Sequence, residues 1–152
     1  MEADVEPKKA YKVFRYASDV SWKSGRRGVV RPLGKPELDV SSPPEFKGEA
    51  GIWTPEDMFV ASVNVCTLMT FLAFAQHQGL ELVAYDSAAE GTLENVEGTY
   101  RFTEVTLRPR VVVKSAGEVE RARQILDDAH KGCLVSNLIT AAVKVFPQFR
   151  VG

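Results

Sequence analysis

Between Met58 and Ala75, fourteen of eighteen residues are apolar, and only Ser62, Asn64, Thr67 and Thr70 interrupt the run. The segment opens as a helix should: Thr54 can cap it, Pro55 suits the first helical position, and Glu56 and Asp57 favour the positive end of the dipole. Gly79 stops it. A helix that is apolar on nearly all sides must be surrounded by protein or by lipid. Eighteen residues is the lower limit for a membrane span, the four polar residues break the run, and no second run of this kind follows. The chain is therefore expected to wrap this helix in a protein core, without a membrane.

Around the helix the pattern is strand-rich. Residues 1–10 read as a flexible tail and residues 11–152 as a single domain. Tyr11 to Trp22 alternates loosely and reads as a strand, followed by a turn, Lys23 to Gly28, with a basic tip. Val29 to Leu33 and Leu38 to Ser41 read as short strands, and Ser42 to Gly51 as a loop. Glu81–Leu93 and Tyr100–Lys114 are two long strands joined by a turn at 94–98. In the second, Thr103, Val105, Leu107, Pro109, Val111 and Val113 share a face. Pro109 cannot donate to a ladder, so an edge or bulge is expected there. Val119, Ala122, Leu126 and Ala129 fall at helical spacing, Leu134 to Val143 reads as a further short helix, and Phe146 to Val151 as a closing strand. This order gives an α+β fold.

Nineteen Lys and Arg against twenty Asp and Glu leave a net charge of −1, which lacks the basic excess of a nucleic-acid-binding domain. Met1 to Ala10 holds no apolar run of the kind that starts a secretory signal, so the expected compartment is the reducing cytoplasm, where a structural disulfide is rare. Cys66 and Cys133, the two cysteines, are then candidates for chemistry.

Cys66 lies mid-helix, one turn from Ser62 and from Thr70. A buried cysteine there is ordinarily a small hydrophobe, and needs a nearby positive charge to become a nucleophile. Cys133 follows Gly132 at the expected start of a helix, where unpaired amides lower a thiol's pKa, so local physics nominates it as the more acidic thiol. A zinc site built from Cys66, His77, His130 and Cys133 fails on geometry. Cys66 and His77 are about 16 Å apart along one helix at 1.5 Å per residue, and ligands of one zinc sit about 2 Å from it. No metal and no cofactor is expected.

Two segments together resemble a known family. Thr54-Pro55-Glu56-Asp57-Met58-Phe59-Val60-Ala61-Ser62, with Cys66 ten residues after Glu56, is similar to the Pro-Glu-x-Leu/Phe-x-Ala…Cys helix of the OsmC/Ohr family of thiol peroxidases. Ala129-His130-Lys131-Gly132-Cys133-Leu134-Val135-Ser136-Asn137 resembles that family's Cys-Pro-x-Ser-Asn segment, with Leu134 in the place of the proline. The resemblance implies an intertwined homodimer, antiparallel sheets around the long buried helix, and active sites at the subunit interface. It implies that Cys66 attacks an organic hydroperoxide and becomes a sulfenic acid, that Cys133 condenses with it to a disulfide, and that a dithiol reductant such as a lipoylated protein restores both thiols. It further implies an arginine that stabilises the thiolate and is held by Glu56. Glu56 itself is about 15 Å from Cys66 by helical rise, so an arginine must bridge them. Arg26 is the closer match to the family's spacing, with Arg27 as the alternative.

The function expected on these grounds is a cytoplasmic, homodimeric, cysteine-based peroxidase for organic hydroperoxides, with an apolar pocket near Met58, Phe59 and Phe71. Its rival is a non-catalytic dimeric stress-response protein that binds an apolar ligand on the same scaffold.

Overall fold

The computed structural model describes residues 11–152, and the tail expected over 1–10 lies outside them. Contacts divide the chain into two compact units, Met1–Pro55 and Glu56–Gly152.

The N-terminal unit is a three-stranded antiparallel sheet in the order β1 (Ser18–Ser24), β2 (Arg27–Pro32), β3 (Leu38–Ser41). Gly25, at φ 52°, and Arg26 form the tip of the first hairpin. The first strand starts at Ser18 and not at Tyr11, because β2 ends at Pro32 and the ladder partners of β1 run out with it. Residues 53–54 fold back on the sheet, where Ser41 N–H donates to Trp53 O at 3.0 Å. Every residue of β1 is exposed, and Val20 and Trp22 are among the large apolar side chains left uncovered.

The C-terminal unit is built on one strand. β5 (Thr99–Val113) pairs antiparallel with β4 (Leu82–Val96) along its whole length. Its other side takes β6 (Ala142–Val145) and then β7 (Gln148–Val151), both parallel to it. The sheet is therefore mixed where antiparallel strands were expected, and the α+β class stands. The β4–β5 turn needs only Glu97 and Gly98, at φ 52° and 85°, a pair of left-handed residues that suits the twist of a tight hairpin. The expected turn over 94–98 is narrower for that reason.

Pro109 lies on the central strand and not at an edge. Leu107 and Val113 carbonyls accept bonds on the β6/β7 side, so by the period of two a residue at 109 would present its N–H on that side too. β6 pairs with Glu104–Leu107 and β7 with Arg110–Val113, which leaves Pro109 opposite the break between them. The missing donor costs no ladder bond there.

Both long helices dock on the face of β5 that the alternation picked out. Val105, Leu107, Val111 and Val113 are all 0% exposed. α1 (Pro55–His77) contributes the stripe Val63, Thr67, Phe71 and Ala75, and α2 (Val119–Gly132) contributes Ala122, Ile125, Leu126 and Ala129. Gly91 on β4 lets α1 approach closely: a Cβ there would stand 2.5 Å from Val60 Cγ2. The hydroxyls of Ser62, Thr67 and Thr70 donate to carbonyls three or four residues back in the same helix, so they need no outside partner.

Within a single chain the cover on α1 is one stripe, and Val65, Met69 and Leu72 are 52%, 54% and 37% exposed. By length and composition alone α1 would also pass for a membrane-crossing helix. The helix expected over 134–143 does not form. A single turn ending in the 3-10 segment Ser136–Leu138 leads into β6, because Val143 and Val145 are β-branched and gain a ladder on β5 together with burial beneath it.

Phe71 packs on Tyr85 with ring centroids 5.2 Å apart. Burial pushes the Tyr85 phenol up to about 12, with Ser87 opposing. Folding thus favours the neutral phenol, so its contribution is complete below the ordinary value of about 10 and is lost as pH rises from there toward 12. Tyr85→Phe should flatten the stability profile between pH 10 and 12 and leave the melting temperature at neutral pH unchanged or raised, as read by thermal unfolding across that range.

Candidate active site

Cys66 and Cys133 come together within the C-terminal unit. Cys66, Thr70 and Phe74 follow one another at four-residue spacing along α1 and so share a face. The end of α2 meets that face: a Cβ on Gly132 would lie 3.6 Å from Phe74 Cζ, an ordinary contact. The chain then leaves α2 at Cys133 in extended geometry, φ −66° and ψ 113°. It turns through one helical bond, Asn137 N–H to Cys133 O at 3.1 Å. Val135 and Ile139 seat this turn on the cluster of Val63, Val105 and Leu107. Asn137 Nδ2 ties the turn back by donating to Lys131 O at 3.0 Å. The hydrophobic docking of two aliphatic side chains thus carries Cys133 to Cys66.

Both thiols are free; Cys66 is half-buried and Cys133 is 0% exposed. They stand near enough for each to act on the other's ionisation. Burial pushes the Cys66 thiol up and the neighbouring Cys133 pushes it further, with the Val135 N–H and Thr70 opposing. Burial also pushes on Cys133, but its hydrogen bond with Cys66, the Ser136 hydroxyl and the N–H groups of Ser136 and Val135 outweigh that and bring it below the ordinary thiol value. Within this unit Cys133 is the more acidic thiol. The amides responsible belong to a turn and not to the helix expected from the sequence. Within the described residues of its own unit, no cation is among the groups that act on Cys66.

The other candidate residues are placed as follows. Glu56 stands in the first turn of α1, and its Oε2 is buried without a hydrogen-bond partner. In the N-terminal unit Arg27 Nη2 reaches Asp39 Oδ2 at 3.4 Å and its Nε stands 3.9 Å from Glu49 Oε2. Arg26, at the exposed hairpin tip, makes no ion pair among the described residues. Both arginines line a cavity of about 380 Å³ in that unit, with Val20, Trp22, Val40 and Pro55. Met58 and Phe59 are half-buried, and Phe59 stacks on Phe102 at 4.5 Å. Phe71 is 0% exposed in the core, so within this chain its surface is spent on Tyr85 and its neighbours and not on an open pocket wall. No group of three His, Cys, Asp or Glu able to hold a metal occurs among the described residues. Ser136 and Val135 lay inside the segment read from the sequence but were given no role there. The three-residue spacing of Cys133 and Ser136 was the available signal, and it means nothing until the chain is known to turn at that point.

The sequence model of OsmC-like proteins matches residues 48–146, across both motifs. The chain belongs to the OsmC-like family. It is 26% identical over 129 residues to the YmaD protein of Bacillus subtilis, covering 82% of this chain and 86% of that one. Its fold is similar to that of an OsmC-like protein of Vibrio cholerae, with a TM-score of 0.81, 23% identity, and coverage of 90% of this chain and 100% of the other. An organic hydroperoxide resistance protein OsmC of Legionella pneumophila is similar at 26% identity and a TM-score of 0.67, covering 90% and 97%. One from Elizabethkingia anophelis gives 0.71 at 20% identity, covering 93% and 97%.

Each thiol sets the other's acidity, so removing either should move the survivor. Cys66→Ala should raise the pKa of Cys133 by removing its strongest donor, and Cys133→Ala should lower that of Cys66. Ultraviolet thiolate absorbance against pH reads both, and shifts in the same direction would contradict the pairing.

Proposed function

We propose that this OsmC-like protein is a cysteine-based peroxidase that reduces organic hydroperoxides to alcohols. The observation that carries the reading is the approach of two free thiols from different elements, near enough to act on each other's ionisation, one half-buried and one fully buried. The Cys66 thiolate attacks the distal peroxide oxygen and the O–O bond breaks. The alkoxide takes a proton and leaves as alcohol, with Cys66 as a sulfenic acid. The Cys133 thiolate then attacks Cys66 Sγ, hydroxide leaves as water on gaining a proton, and a disulfide forms. A dithiol reductant returns both thiols. The Ser136 hydroxyl and the Val135 and Ser136 N–H groups around Cys133 suit the second step, because they favour the thiolate form that attacks the sulfenic sulfur.

Cys66 lacks a positive neighbour inside its own unit, and the reading assigns that part to an arginine of the N-terminal hairpin. Arg26 is favoured because it is unpaired among the described residues, whereas Arg27 is engaged by Asp39. The unpartnered Glu56 carboxylate oxygen fits a role as the arginine's anchor, acting on its position and not on sulfur. Within the C-terminal unit, half-buried Met58 and Phe59 offer apolar surface suited to an alkyl peroxide. The bared stripe of α1 supports a homodimer, since three large apolar side chains in one row on an otherwise packed helix call for a cover.

The test is consumption of cumene hydroperoxide against hydrogen peroxide with a small dithiol as reductant. Turnover with preference for the organic peroxide is expected, and no turnover would favour an apolar-ligand-binding protein instead. Cys66→Ser should abolish consumption. Cys133→Ser should allow one oxidation and leave a sulfenic acid on Cys66 that dimedone traps. Arg26→Ala should slow the peroxide step at pH 7 by about tenfold or more, since losing one cation beside a thiolate is worth one or more pKa units. A separate measurement addresses assembly: Met69→Asp, at an exposed position of α1, should convert a dimer to a monomer in sedimentation, and an unchanged mass would place the interface elsewhere.

A further inference from the structure

We propose that Ser136 directs the re-reduction half of the cycle: its hydroxyl holds Cys133 Sγ as the departing thiolate and leaves Cys66 as the sulfur that the incoming dithiol attacks. The proposal rests on the peroxidase reading for its physiological setting, but its geometry stands apart from the peroxide step.

Two independent observations agree on the direction. The first is access. Cys133 is 0% exposed while Cys66 is half-buried, so of the two residues Cys66 is the one the chain leaves open to an external thiol. Thiol–disulfide exchange runs in line, with the attacked sulfur between the nucleophile and the leaving group, so attack at Cys66 expels Cys133.

The second is the set of donors around the sulfur that would leave. Ser136 Oγ is buried and makes no complete hydrogen bond in the neutral thiol form. The turn closed by Asn137 N–H on Cys133 O brings Ser136, three residues on, back to the side of Cys133, where its hydroxyl and the N–H groups of Val135 and Ser136 favour the thiolate. A thiol sulfur is a weak acceptor and a thiolate a strong one, so an unspent buried hydroxyl at that sulfur gains its partner when Cys133 ionises. A buried hydroxyl without a partner is costly, which makes one beside a redox sulfur a feature in need of an explanation. Cys66 has no equivalent side-chain donor beyond Thr70, whose hydroxyl also donates to its own helix at Cys66 O, 2.8 Å away.

The steps balance. One thiolate of the dithiol forms a bond to Cys66 Sγ, the Cys66–Cys133 bond breaks, and its electron pair goes to Cys133, held by Ser136 and the two amides. The second thiolate of the reductant then attacks its own sulfur in the mixed disulfide. It closes to a cyclic disulfide and releases Cys66 as thiolate. The reductant loses two electrons and the protein gains two, and its two protons pass to the protein's thiols or to solvent.

The experiment uses the whole protein oxidised to the intramolecular disulfide with diamide, so that a protein inert to hydroperoxides would sink the peroxidase reading while this one is still decided. A single equivalent of a monothiol, 2-mercaptoethanol, followed by acid quench and peptide mapping, should find the mixed disulfide on Cys66. Finding it on Cys133 overturns the proposal. Ser136→Ala should slow reduction of the disulfide by dithiothreitol by about three- to tenfold, as expected when the leaving thiol becomes less acidic. It should also raise the Cys133 titration midpoint in the Cys66→Ala background. Ser136→Thr, which keeps the hydroxyl, should restore both. A reduction rate and a midpoint untouched by Ser136→Ala would show that the amides act alone and would overturn the assignment. A loss shared equally by Ala and Thr, with an altered circular dichroism spectrum, would mean a structural residue and would overturn it too.

Discussion

The inward face of β5 is the surface on which the C-terminal unit depends. Val105, Leu107, Val111 and Val113 are fully buried, and full burial of one such side chain contributes about 1.5–3 kcal/mol. α1 and α2 both find their partners there, so neither could hold its place without the strand. β4 pairs with β5 along its length and β6 and β7 divide its other side, which makes β5 the strand whose register fixes every other element of the unit. A slip of one residue would turn Glu104, Thr106, Arg108 and Arg110 inward, so the alternation itself enforces the register.

The pairing of the two thiols is a by-product of that packing in the physical sense. Val135 and Ile139 join the cluster around Val63 because their aliphatic surface must leave water, and Cys133 moves with them. Once there, the thiols cannot be treated singly. Burial disfavours charge on both, but the donors are distributed unequally, with two amides and a hydroxyl facing Cys133 and mainly one amide facing Cys66. Inequality of environment, in two groups of the same chemistry, separates their acidities.

α1 shows the other side of the same economy. The hydroxyls of Ser62, Thr67 and Thr70 are satisfied within the helix and Asn64 Nδ2 donates to Ser87 O on β4 at 3.0 Å, while Glu56 Oε2 and Asn64 Oδ1 are buried without partners. Its middle leaves apolar side chains open: Val65, Met69 and Leu72. A chain of this size has one sheet in its larger unit and so can cover one side of an all-apolar helix. The other side is where further protein surface is required.

Much of this was legible in the residues. The bounds of α1 follow from Thr54, Pro55 and Gly79, the long hairpin from alternation, α2 from its spacing, and the family from two motifs around Cys66 and Cys133. These are local patterns, and local patterns suffice when every neighbour agrees with them. What failed was local preference overruled from a distance. Leu134 to Val143 has the composition of a helix, but the ladder offered by β5 claims Val143 and Val145 and leaves only a turn. Pro109 reads as an edge residue, but the break between β6 and β7 gives it a place in the middle of a sheet. The sequence by itself determined that two thiols existed and that Cys66 sits within the long apolar helix. Their meeting, the greater acidity of Cys133, and the buried hydroxyl of Ser136 beside it were decided only by tertiary structure, because hydrogen-bond donors and burial belong to positions in space that no spacing along the chain encodes.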